Sequence, residues 1–81
     1  MPSEFENLAH PDQAAAVTPN NSTDLPNSGA LYVGAGGDIA VTTAGGDDVT
    51  FVGVVSGSFI PVKIARVKVT GTTATNILVL Y

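Results

Sequence analysis

The residues that could do chemistry in this chain are few, and their spacing limits what each can do. His10 is the single histidine, and the chain has no cysteine. A nucleophilic triad or a two-histidine metal site therefore has no partner set, and neither a thiolate site nor a disulfide framework can form. Asp47 and Asp48 are adjacent; neighbours on a strand point to opposite faces, so they suit a turn and a strand start better than an acid/base dyad or a calcium site. Gly34-Ala35-Gly36-Gly37-Asp38 has the glycine content of a phosphate loop but lacks the third spaced glycine and the following helix that a dinucleotide site needs. Asn20-Asn21-Ser22 and Asn21-Ser22-Thr23 fit the glycosylation acceptor pattern, yet the start Met1-Pro2-Ser3-Glu4 has neither the basic nor the apolar stretch of a secretory signal, so no modification is expected there. From these residues we expect no enzyme, no cofactor and no metal. Lys63, Arg66 and Lys68 hold every basic side chain within six residues. They suit either an acidic partner, including acidic sugars, or the upkeep of a soluble strand edge.

The elements that carry these groups follow from composition. The chain has 81 residues, enough for one domain, with 44% hydrophobic and 12% charged residues and a net charge of −4. Residues 1–28 contain Glu4, Glu6, Asp12 and Asp24 without a Lys or Arg, whereas residues 29–81 balance three acids against Lys63, Arg66 and Lys68. An acidic segment beside a neutral one argues against nucleic-acid binding by counterion release. No apolar run reaches the roughly 18 residues of a membrane span, so no membrane insertion is expected. Four of five prolines precede residue 28 and all nine glycines follow it. We therefore read residues 1–28 as an extended, proline-containing arm, with a helical turn over 13–17 capped by Asp12. Phe5, Leu8, Val17 and Leu25 are its large apolar side chains, too widely spaced for a helix face and suited to separate pockets on a partner. The arm is expected to order on that partner, and the body to stay folded without it.

Residues 29–81 read as a small glycine-rich β-domain, with short strands at 30–33, 38–43, 49–55, 59–70 and 77–81 separated by glycine turns. The fold class is all-β: a compact antiparallel sandwich or barrel of five to six short strands. Val49–Val55 is apolar on both faces and predicts a strand buried between layers. Between Phe59 and Thr70 the apolar positions switch from even to odd, which predicts a bulge near Ala65-Arg66, and Pro61 suggests an edge or a strand start. Ile77–Tyr81 is apolar throughout, so it should lie centrally or under a neighbour. Scarce charge and two-sided apolar strands together predict a homo-oligomer, with Tyr81 at the contact.

Leu31-Tyr32-Val33-Gly34-Ala35-Gly36-Gly37-Asp38, then Val49-Thr50-Phe51, Gly57-Ser58-Phe59-Ile60-Pro61-Val62, Arg66-Val67 and Thr70-Gly71-Thr72-Thr73-Ala74-Thr75, closing at Leu80-Tyr81, form an ordered set of motifs. The set resembles the head spike base proteins of gene transfer agents and related tailed phages, over residues 23–81. The resemblance implies a virion protein assembled in the bacterial cytoplasm and mounted on the capsid to anchor a spike or fibre. Its implied partners are capsid protein, a spike or fibre protein and further copies of itself, a pentamer if the spike stands at a capsid vertex. It implies no catalytic residue. Phe5, Leu8, Val17, Leu25, Arg66, Lys68 and Tyr81 are the candidate partner contacts. The competing function is a lectin-like module that binds host surface polysaccharide directly.

Overall fold

A computed structural model describes residues 12–81 of the chain. It contains β1 (Ala14–Ala16), β2 (Gly29–Ala35), β3 (Gly37–Thr43), β4 (Asp48–Val54), β5 (Ser58–Val67) and β6 (Thr75–Leu80). All pairings are antiparallel in one sheet of order β1-β6-β2-β5-β3-β4, so the all-β expectation holds with six strands.

Side-chain alternation sets the faces. In β2, Leu31 and Val33 are fully buried while Tyr32 between them is exposed; in β6, Ile77 and Val79 are buried while Leu78 and Leu80 are half-buried. Register aligns the inward residues into a row, Ala15–Val79–Leu31–Ile60, which joins Ile39, Val41, Ile64 and Val67 in the core. Side chains with no exposure on a single sheet require that it curl over its own concave face. Ala74 and the half-buried Val17, Leu25, Phe51 and Val54 close that face. Burying a side chain of this size is worth about 1.5 to 3 kcal/mol, so each of these caps matters in a domain this small.

The parity switch in β5 marks a true bulge. Thr42 faces Arg66 and Thr43 faces Ile64, which leaves Ala65 as the extra residue. Pro61 lies within β5, an interior strand, but where neither it nor Val62 has a registered partner, so its missing N–H costs no ladder bond. Beyond β5 the threonine-rich segment completes the pairing of β3. The Lys68 N–H donates to the Ala40 carbonyl (2.8 Å), and the Ala40 and Asp38 N–H groups donate to Thr72 Oγ1 (3.0 Å) and Thr73 Oγ1 (2.9 Å). Hydroxyls thus stand in for a strand.

Two expectations are corrected. Residues 13–17 do not form a helical turn: Gln13 and Tyr81 exchange backbone hydrogen bonds of 2.9 Å each, and Ala14–Ala16 pair with Leu80–Leu78. One turn of helix cannot sustain itself, whereas the free edge of β6 supplies a ready ladder. The strand at 48–54 is not buried between layers but is the outermost strand, with Val52 76% exposed and Val55, just past its end, 70% exposed. A two-sided apolar pattern shows that cover is needed without showing that the chain itself provides it. The described part of the arm also bonds to the chain's own body, through Val17 N–H to the Ile77 carbonyl (2.9 Å), Asn20 N–H to the Val67 carbonyl (2.8 Å) and Leu25 N–H to the Ala65 carbonyl (2.7 Å). Ile77–Tyr81, by contrast, lies under cover as expected, since β6 runs between β1 and β2.

Candidate interaction surface

Residues of the convex face follow from the same register that builds the core. Ala16, Leu78, Tyr32 and Phe59 are successive cross-strand partners over β1, β6, β2 and β5, and Ala14, Leu80 and Ala30 form the next row. Phe59 is 52% and Tyr32 39% exposed, and neither row contains a charged side chain. A contiguous apolar patch of this kind suits the centre of a docking surface for another protein. The sequence signal for it was the alternation Leu31-Tyr32-Val33, which places the tyrosine outside; its significance depended on which strands become neighbours.

The second exposed feature is the free edge of β4. Gly37 faces Val54 and Ile39 faces Phe51, so β4 has one residue more than β3 across that interval. Gly53 takes the bend, with φ 69°, and its N–H donates 2.9 Å to the Asp38 carboxylate. A side chain with a Cβ would be strained by about 1 to 2 kcal/mol in that conformation. Val49, Val52 and Val55 are exposed along this edge.

The charged groups are largely matched within the chain. Arg66 pairs with Asp24 at 2.8 Å and also donates through Nε to the same oxygen at 2.9 Å; Lys68 lies 3.2 Å from Asp48. Thr42 Oγ1 donates 2.6 Å to Asp48, and this bond, ahead of the Lys68 ammonium, holds the Asp48 carboxyl below its ordinary value. The basic cluster seen in the sequence is thus mostly occupied with internal acids, which leaves Lys63. Residues 17–28, the strap between β1 and β2, are fastened on the other side by Asn21: its Oδ1 accepts from Val69 N–H (2.8 Å) and Thr70 N–H (3.2 Å), and its Nδ2 donates to Thr70 Oγ1 (3.1 Å). Inside the curve of the strap is an open cleft of about 330 Å³ bordered by Thr18, Asp24 and Pro26, with no convergent set of reactive groups. Among the described residues no group of three or more His, Cys, Asp or Glu is placed to hold a metal ion.

The five candidate contacts among the described residues do not converge on one site. Val17 and Leu25 pack half-buried against the chain's own core, as does Tyr81, whose backbone closes the β1 ladder. Arg66 and Lys68 are ion-paired on the flank of β5. Phe5 and Leu8 lie outside the described residues. Sequence reading missed Tyr32, Phe59 and Leu78 of the convex face and the exposed valines of β4.

No family model matches the chain, and no curated protein does. Among solved structures it is similar to a chain in one described as "Capsid of native GTA particle computed with C5 symmetry". The two are 36% identical with a TM-score of 0.79, over 88% of this chain and 83% of that one.

Proposed function

This chain belongs to the family of the GTA-particle capsid chain it matches, and on that premise, as a structural protein of a phage-like particle, we propose that it is the base of a head spike. In this reading it sits on the capsid of a gene transfer agent or tailed phage and carries a spike or fibre that meets the host surface. The observation that carries the proposal is the similarity over 88% of the chain to a component of a capsid structure, and the surface is consistent with it. The convex-face patch of Tyr32, Leu78 and Phe59, whose cross-strand rows carry no charged side chain, supplies an apolar contact for a protein partner. Phe5 and Leu8 supply anchors for capsid protein, with Arg66, Lys68, Tyr81 and the half-exposed sides of Val17 and Leu25 as secondary contacts. Copies gather at the attachment point, five of them if it lies on a fivefold vertex, and assembly takes place in the bacterial cytoplasm.

Removal of this chain from a producing strain tests the reading. DNA-filled particles without head spikes are expected, together with weaker binding to host cells; particles that keep their spikes would overturn it. Phe5→Ala with Leu8→Ala should lower incorporation while leaving the fold intact. A lectin-like role is the second reading, favoured by Lys63, the basic side chain left without an ion pair among the described residues. Binding of the isolated protein to a glycan array would support that role, with loss of signal for Lys63→Ala.

A further inference from the structure

We propose that two copies of the free protein pair through their β4 edges, antiparallel, about a two-fold axis at Thr50. The proposal concerns the chain before it joins the particle and does not rest on the spike-base reading.

Backbone direction selects the residues. The Thr43 N–H donates to the Asp47 carbonyl at 2.8 Å, and the registers Val41 with Val49 and Ile39 with Phe51 continue the same alternation. Main-chain groups of Asp47, Val49 and Phe51 are therefore directed at β3, while those of Asp48, Thr50 and Val52 point away from the sheet. These three are symmetric about Thr50. In a two-fold pairing Asp48 meets Val52 of the second copy, Thr50 meets Thr50, and each pair exchanges two hydrogen bonds.

Side chains agree with that register. Val49 of one copy falls opposite Phe51 of the other, which extends the apolar cover of Phe51, already packed on the core, over the 43% exposed Val49. The charge that would ordinarily guard such an edge is neutralised: Asp48 is engaged by Thr42 at 2.6 Å and Lys68 at 3.2 Å, and it faces a valine rather than a second acid.

The bulge fixes where pairing stops. The Gly53 N–H is turned to the Asp38 carboxylate, so the ladder cannot slide toward Val54, and the turn through Gly45 and Gly46 ends it on the other side. An isologous pair uses up both β4 edges. The opposite edge of each sheet is β1, three residues long with Pro19 close behind it, which offers little for a third copy to extend. The assembly closes at two.

Native mass spectrometry of the full chain at micromolar concentration should show twice the 8.2 kDa subunit mass. Val52→Lys should weaken the dimer by about tenfold or more, with circular dichroism unchanged because Val52 is 76% exposed. The chain has no cysteine, so Thr50→Cys should form a disulfide dimer under mild oxidation far faster than Thr18→Cys on the strap. A monomer at these concentrations would overturn the proposal, as would an oligomer indifferent to Val52→Lys and not cross-linked through Thr50→Cys. A five-membered assembly with that indifference would exclude the two-fold pair.

Discussion

The two edges of this sheet are opposites. At one end β1 offers three alanines, pinned by main-chain bonds to β6 and continued by a strap whose Val17 and Leu25 rest on the core and whose Asp24 and Asn21 grip Arg66 and Thr70. At the other end β4 offers seven residues, unpaired on its outer side, with exposed valines. β1 is apolar throughout, and β4 is uncharged apart from Asp48 at its start. The difference lies in what each edge needs covered: β1 is itself the cover for the most apolar strand of the chain, whereas β4 has no cover within the described residues. One edge closes the monomer and the other is available to a second molecule.

The strongest way to break this comparison is to remove the closing edge. Deleting residues 1–28 strips β1 from β6 and Val17 and Leu25 from the core, and should cost about 3 kcal/mol or more. In a small domain that corresponds to a fall in Tm of roughly 12 °C or more by calorimetry, or to an unfolded chain. Deleting residues 1–11 keeps β1, Val17 and Leu25 in place, so the loss of Tm should be smaller than for deletion of residues 1–28. The sequence alone led us to expect a body that stands without its arm; the contacts of residues 12–28 with the body predict a loss instead, and the two deletions decide between them.

A single substitution placed on each edge sharpens the contrast. Ala15→Lys forces a long charged side chain into the half-buried inner row of β1 and should cost about 1 kcal/mol or somewhat more in chemical denaturation. Val52→Lys on β4 should stay within about 0.5 kcal/mol of wild type for the folded monomer. Smaller still is the clasp. The Arg66–Asp24 pair is partly exposed, so Asp24→Ala should lose only about 0.2 to 1 kcal/mol, seen as faster amide exchange at Leu25 and Asn20 with the sheet amides unaffected.

The smallest expected effect is one of pH. Asp48 is held below its ordinary carboxyl value by Thr42 and Lys68, so the folded state binds its proton less readily than the unfolded chain. Its contribution is present at neutral pH and is lost as pH falls from about 4 through the depressed folded value. Asp48 is solvent-exposed, so the Tm difference between wild type and Asp48→Asn should be slight at pH 7 and vanish in acid.

Much of the sheet was legible because local patterns carried it. Alternation in Leu31-Tyr32-Val33 set the faces of β2, the parity switch located the Ala65 bulge, and Ile77–Tyr81 announced a covered strand. The neighbour relations were not legible. Val49–Val55 reads as interior from its own residues, and its edge position follows only from β5 inserting between β2 and β3. Gln13–Val17 has no strand signal, because alanines are neutral and the pairing is dictated by β6, some 60 residues away. The strap clasp depends on polar groups meeting across a comparable separation, which no window of sequence contains. The candidate surface was legible only as single residues, since the convex row of Ala16, Leu78, Tyr32 and Phe59 draws one residue from each of four strands.

The most direct measurement is a difference map between cryo-EM reconstructions of particles from strains with and without this chain. The expected result is density for the six-stranded sheet on the outer capsid surface beneath a spike, lost along with the spike when the chain is absent. Identical maps, or difference density confined to the tail, would contradict the assignment of this chain as a capsid-mounted base.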